Sequence, residues 1–367
     1  MNRITRCLTV LAFGVILLVV GCEPQNSPAP PTDDSKAANP AAGSSTTSSP
    51  VTLPVSGDYR IVILTNVSAP FWDAADRGSQ EAATKLGVKV EFLRNSEATE
   101  AGQVQRLEQL AGQNDVKGVA ISLIDAQAAG VIDQMIALRK KGVHVITIDA
   151  DGPAESRAAF IGTNNSEAGR ELGKATAALR PDGGSSVCFV GYKGSQNARE
   201  RIQGFQEGAG EKIKLVDTME DQTDPAKARN NVTAAMQNHP ELNILAGIWS
   251  YNATAISDIV ESSGRRKDLS VVVFDADPNA IVAMEQGLID VMLVQNPFEM
   301  GYQGVVLLNA MIKKDDGTVK QMLKGSDVYD TGFKVVVPDE KSPIQSPART
   351  TFSEFKAWLA EKKLSGS

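Results

Sequence analysis

Short β-branched runs recur in this chain at a near-constant interval, and the set of runs itself recurs. Residues 60–65 (RIVILT), 88–93 (VKVEFL), 117–122 (KGVAIS) and 143–148 (VHVITI) begin roughly 26–29 residues apart. A second series at 186–190, 213–218, 242–247 and 270–274 begins about 27–29 residues apart. That interval is the length of one βα unit. Between the runs, apolar residues fall at helical spacing, as in Val104, Leu107 and Ala111, or Val131, Met135 and Leu138. Two series of one rhythm predict an α/β fold of two similar lobes. Each lobe is expected to be a doubly wound parallel sheet flanked by helices on both faces.

The start of the chain has a different character. Arg3 and Arg6 precede an apolar run over residues 8–20, and Val19-Val20-Gly21-Cys22 closes it. A basic start, a short apolar run and small residues at the cut describe an export signal over residues 1–21. The run is too short to span a bilayer comfortably, which takes about 20 residues. Cys22 is expected to be lipidated, tethering the protein to a membrane on the outer side of the cytoplasmic barrier. Residues 22–57 are rich in Pro, Ser, Thr and Ala and cannot bury enough apolar surface to hold a fold, so they are expected to form a disordered leash.

Composition narrows the chemistry. Removing Arg3 and Arg6 takes the formal charge from −7 to about −9, an acidic balance that argues against nucleic acid as a partner. Cys188 would be the one cysteine left free, inside an apolar run, where it reads as a small core residue. The chain has two histidines, His144 and His239, too few to suggest a histidine-based metal or catalytic site. No cofactor or metal is expected.

Parallel sheets place ligands beyond the carboxyl ends of their strands. Those positions hold Phe71-Trp72, Asp149-Ala150-Asp151, Arg199, Trp249 with Asn252, Asp275 with Asp277, and Gln295. Carboxylates and amides meet hydroxyl groups in both hydrogen-bonding senses. Aromatic faces cover the C–H surface of a sugar ring. The set suits a neutral polyhydroxylated ligand. Asp151 and Asp277 read first as caps or hinge residues, with Asp151 kept in the ligand set. Arg201 reads as an ion-pairing residue, either at the surface or behind the residues that touch the ligand.

Ala69-Pro70-Phe71-Trp72, Ile146-Thr147-Ile148-Asp149, Ile161-Gly162-Thr163-Asn164-Asn165, Ala198-Arg199-Glu200-Arg201 with Gly204-Phe205, Val273-Phe274-Asp275, and Gln295 before Pro297 occur in this order. Over about residues 58–338 the chain resembles the ribose-binding type of periplasmic sugar-binding protein. The resemblance implies a type I periplasmic binding fold, with three strands crossing between lobes and the ligand in the cleft. It implies an N-terminal lobe of residues 58–162 and 296–325, a C-terminal lobe of 163–295 and 326–339, and a tail of 340–367 with a possible short helix. Carried over by position, Phe71 and Trp72 would be aromatic contacts. Asp149 and Asp275 would accept from ligand hydroxyls, Arg199 would donate, and Gln295 would supply an amide beside the hinge. The chain departs from the ribose binder at Ala150, where an arginine is expected, and at Thr223, which cannot stack on a ring. Trp249 is expected to stack in its place, opposite Trp72, with Asn252 supplying a displaced amide.

The implied function is capture of a monosaccharide by hinge closure and delivery to an ABC permease, by a monomer. The alternative is a receptor component that presents a sugar or furanosyl signal to a membrane sensor. A sugar-responsive repressor would need an N-terminal DNA-binding module, where this chain has a signal and a leash. Asp149 and Asp275 could also mimic a glycosidase pair, but the resemblance implies that they bind intact ligand.

Overall fold

The computed structural model describes residues 59–367. The export signal, the lipidation at Cys22 and the leash of residues 22–57 lie outside the described residues. The first series of runs builds β1 (Arg60–Leu64), α1 (Phe71–Leu86), β2 (Lys89–Leu93), α2 (Glu100–Ala111) and β3 (Val116–Ile121). It continues through α3 (Ala129–Lys140) and β4 (His144–Ile148) to β5 (Phe160–Gly162). The second series follows as α4 (Asn165–Leu179), β6 (Gly184–Val190), α5 (Gln196–Ala209), β7 (Ile213–Glu220) and α6 (Pro225–Asn238). Then come β8 (Leu242–Gly247), α7 (Asn252–Ser263), β9 (Ser270–Phe274), α8 (Pro278–Glu285) and β10 (Val291–Gln295). The chain returns through α9 (Pro297–Lys313), α10 (Asp316–Leu323) and β11 (Val328–Asp330), and ends in β12 (Phe333–Val337), β13 (Arg349–Thr351) and α11 (Phe352–Lys362).

Two sheets result, ordered β11-β5-β4-β3-β1-β2 and β13-β12-β10-β9-β8-β6-β7. Central strands are apolar throughout because helices cover both faces. In β1, Ile61 and Ile63 pack with α1 and α9, while Val62 and Leu64 face the layer of α2 and α3. The second sheet is not purely parallel: β12 runs antiparallel to β10. Its chain crosses straight from β11 through Thr331-Gly332, with no helix to reverse its direction.

Residues 328–330 pair with β5 in the first sheet, so this strand lies in the lobe opposite to the one expected for 326–339. Three-residue strands carry too little pattern to assign a side. The tail is part of the second lobe. Its β13 pairs with β12, and Phe352, Phe355 and Leu359 of α11 are buried in the second-lobe core.

Three short crossings join the lobes, at Thr163-Asn164, Asn296 and Thr331-Gly332. Two of them brace each other: Thr331 N donates to Gly162 O at 2.8 Å, and Asn164 N donates to Asp330 Oδ1 at 3.3 Å. In each lobe, the helix entered from a crossing packs backbone-close on the lobe's first cleft helix. A Cβ on Gly78 of α1 would lie 2.0 Å from Phe298 O of α9, and one on Gly204 of α5 would lie 2.3 Å from Ser166 O of α4. These contacts set the depth of the two helices whose N-terminal turns face the cleft.

Candidate functional site

The carboxyl ends of both sheets meet around one cavity. From the first lobe it is lined by Asn66, Val67, Ala69, Phe71, Trp72 and Asp149. The second lobe contributes Asn197, Arg201, Trp249, Ser250, Tyr251 and Asp275, and Gln295 lines it beside the hinge crossing. Phe71 and Trp72 open α1 and meet edge to face, with ring centroids 5.1 Å apart. Trp72 is 1% exposed. Trp249 Nε1 donates to Asn197 Oδ1 at 3.2 Å, which fixes the indole.

Asp149 and Asp275 occupy equivalent turns, each just past a strand and each in the left-handed region, at φ 62° and 65°. Asp tolerates this region better than most residues, and the turn lifts the side chain off the strand end. Asp149 Oδ2 accepts from Ser122 Oγ at 3.0 Å. Asp275 Oδ1 accepts from Gln295 Nε2 at 3.0 Å. Burial pushes both carboxyl groups above their ordinary value, against the pull of the Arg201 charge, and takes Asp275 to about 6.

Arg201 stands between them. It is 1% exposed, and burial lowers its pKa against the charges of Asp275 and Asp149. Its Nε donates to Asn165 Oδ1 at 2.9 Å, its Nη1 to Ile248 O at 3.0 Å, and the guanidinium lies 4.4 Å from the centre of the Phe274 ring. Neither carboxylate is in direct ion-pair contact with it; the three charges ring the cavity instead. Arg201 Nη2 and Gln295 Oε1 are buried without a hydrogen-bond partner. A buried polar group without a partner costs about 1–3 kcal/mol, so both atoms are ready to bond a ligand.

Phe71, Trp72, Asp149, Trp249, Asp275 and Gln295 thus converge on the cavity, and three expected residues do not. Arg199 is exposed and donates to Gly194 O outside the cavity. In α5, Asn197, Arg201 and Phe205 follow at four-residue steps on the buried face, and position 199 lies off that face. Phe205 was the sequence signal that separates the two arginines. Asp151 is held by Arg157, whose Nε and Nη2 donate to it at 2.6 and 2.7 Å, and it also accepts from Thr147 Oγ1. Those bonds turn it away from the cavity. Asn252 is fully buried behind Trp249. Its Oδ1 accepts from Trp249 N at 3.0 Å and its Nδ2 donates to Asp221 Oδ2 at 2.9 Å.

Asn66, Asn197, Arg201, Ser250 and Tyr251 are cavity residues that the strand-end reading missed. Tyr251 is held by a hydrogen bond from its hydroxyl to Asp221, a carboxylate that burial raises to about 6. Its place beside Trp249 in the same loop was the available signal.

Two α/β lobes hinged about a charged, aromatic cleft define a bilobal ligand-binding protein. A family model, the periplasmic binding protein domain, matches residues 60–316, and the chain belongs to that family. The ribose import binding protein RbsB of Salmonella typhimurium is 24% identical over 284 residues, covering 76% of this chain and 90% of that protein. The D-allose-binding periplasmic protein of Escherichia coli is 26% identical over 261 residues, covering 67% and 82%. Among solved structures, an ABC transporter solute binding protein from Burkholderia graminis in complex with D-arabinose is 29% identical. It superposes with a TM-score of 0.71 over 76% of this chain and 95% of that one. The glucose-galactose binding protein GanP from Geobacillus stearothermophilus shares the fold, with a TM-score of 0.70 at 23% identity over 77% and 98%. The chain is a binding protein and not an enzyme.

Proposed function

We propose that this protein captures a neutral monosaccharide between its lobes and delivers it to an ABC import permease. The observation that carries the reading is the Asp149–Arg201–Asp275 ring, with the unpartnered Arg201 Nη2 and Gln295 Oε1 in a cavity walled by Trp72 and Trp249. Two carboxylates and one guanidinium give no positive surplus, which disfavours phosphorylated or acidic sugars. Hydroxyl groups satisfy donors and acceptors of both lobes at once. Ligand therefore favours the closed arrangement, and population shifts towards it. A Kd of about 1 μM corresponds to about −8.2 kcal/mol. Three or four charge-assisted hydrogen bonds of about 1.5–3 kcal/mol each, with ring stacking, supply this after immobilisation costs.

The family and the relatives named above support export to the periplasm. The run ending at Cys22 supports attachment there by acyl chains, with residues 22–57 as the leash. The protein acts as a monomer in this reading.

A thermal-shift screen against pentoses, hexoses, deoxy sugars and inositols, followed by calorimetry, tests the ligand class. A native-state binder raises the midpoint by mass action. We expect one or two neutral sugars to do so, and none of their phosphates. A flat screen with folded, ligand-free protein would remove the sugar reading. Stimulation of the permease's ATPase by the sugar-loaded protein separates import from presentation to a membrane sensor.

A further inference from the structure

The tail lies beyond the residues matched by the family model, yet Ser367 rests against two segments that border the site. Helix α11 anchors it: Phe355 is 1% exposed in the second-lobe core and stacks on Trp358 at 5.8 Å. Lys363 then turns the chain in the left-handed conformation, and the following residues run back along the loop after β9. Ser367 is 2% exposed. Its N donates to Ala276 O at 2.9 Å, and Ala276 N donates to Ser367 O at 2.7 Å. Its Oγ donates to Gln295 O at 2.9 Å. A Cβ on Gly366 would lie 2.6 Å from Ala276 O, so this approach needs glycine.

The residues gripped are informative. Ala276 directly follows Asp275, and Gln295 holds the Asp275 carboxylate through its side chain. Ser367 therefore clamps the two segments that fix Asp275, one of which leads straight into the Asn296 crossing. Residues 363–367 also form one wall of a groove whose other wall is first-lobe Pro70, Asp73, Arg77 and Arg94. The clamp sits where the lobes approach each other.

We infer that residues 365–367 form a strap that positions Asp275 and Gln295 for the ligand, so that the second-lobe half of the site is ordered before binding. This rests on the reading of the cavity as a sugar site. Rigidifying one half of a site in its bound form lowers the ordering cost of binding. Ser367 is a positioning residue, since it acts through Ala276 and Gln295.

The test uses the full chain, a variant lacking residues 365–367, Gly366→Val, and Lys356→Ala as a control in the exposed Lys356–Glu285 pair. Calorimetry with D-ribose, D-allose and D-arabinose reads affinity, its pH dependence reads the surroundings of Asp275, and amide exchange reads the strap without ligand. Truncation and Gly366→Val should weaken the tightest sugar by about tenfold and shift the pH midpoint of binding. Both should speed exchange at the Ala276 amide with unchanged circular dichroism, and Lys356→Ala should change none of these. Unaltered Ala276 exchange in the truncated chain overturns the strap, whether or not any sugar binds. Faster exchange with unaltered affinity and pH midpoint overturns its positioning role. If the intact chain binds none of the three sugars and none of the wider screen while Ala276 exchange rises on truncation, the strap stands as an ordering element and it is the sugar reading that has failed.

Discussion

The two lobes present the same turn to the cavity and fasten it differently. Asp149 and Asp275 share a left-handed backbone, and each amide is tied to the neighbouring strand, Asp149 N to Ile161 O at 3.0 Å and Asp275 N to Leu293 O at 2.8 Å. Beyond that the parallel ends. The first turn is held mainly by its own lobe, by Ser122 on the carboxylate, Leu123 N on Ala150 O at 3.2 Å, and Arg157 on Asp151, with one bond across the cleft from Asp151 N to second-lobe Gln196 Oε1 at 3.3 Å. The second is held by Gln295 at a crossing and by Ser367 from the tail. The first-lobe half of the site is therefore fastened away from the hinge crossings. The second-lobe half is built into the hinge, so a group that bonds Asp275 or Gln295 also acts on the crossing.

The largest effect expected is at Arg201, which serves both halves. Arg201→Ala removes the charge facing both carboxylates and strips Asn165 and Ile248 of their donor. Leaving buried charge uncompensated costs about 3–5 kcal/mol. Calorimetry should record a loss of sugar affinity on the order of 100-fold or more, and the melting midpoint should fall. Arg199→Ala, two residues away but exposed, should change neither. Equal losses at the two positions would contradict the assignment of the buried face of α5.

Exchanging the carboxylates one at a time sharpens the contrast. Asp275→Ala and Asp149→Ala should each weaken binding more than about tenfold, roughly one charge-assisted hydrogen bond, while the apo fold persists. The lobes should then differ in small-angle scattering. Asp275→Ala is expected to alter the apo distribution of open and closed forms, because it frees Gln295 at the crossing. Asp149→Ala is expected to leave it unchanged. Identical scattering from both would remove the coupling of the second turn to the hinge.

A smaller effect follows from protonation. Burial raises Asp275 from its ordinary 3.8 to about 6, so the folded chain holds this proton more tightly than the unfolded one. Its contribution to stability is fullest below pH 3.8 and is lost as pH rises to about 6. Sugar hydroxyls donate to the ionised carboxylate, so affinity runs the other way and strengthens through the same window. Between about pH 5 and 7 the Kd should fall about threefold to tenfold, and Asp275→Asn should flatten that dependence. Asp149 and Asp221 are also raised by burial, so some slope in the apo melting midpoint should survive in this variant.

The sequence carried the parts of this arrangement that repeat or sit at strand ends. Runs such as RIVILT marked parallel strands because both faces are buried; Asp149, Asp275 and Trp249 follow strands directly, and Trp72 opens the helix after β1. The arginine was ambiguous because Arg199 and Arg201 share one motif, and only the helical face, set by Gly204 and Phe205 against α4, separates them. Asp151 and Asn252 have the right chemistry at the right end of a sheet, but their bonds to Arg157 and Asp221 take them out of the cavity. The reach of Ser367 to Gln295 spans 72 positions and depends on where α11 docks, which no local pattern encodes.

The central claim, that one ligand is held by both lobes at once, is tested most directly by a crystal structure with the tightest-binding sugar of the screen. A single sugar is expected between Trp72 and Trp249, bonded to Asp149 from one lobe and to Arg201 and Asp275 from the other. A sugar seated elsewhere, or touching the residues of one lobe alone, would contradict it.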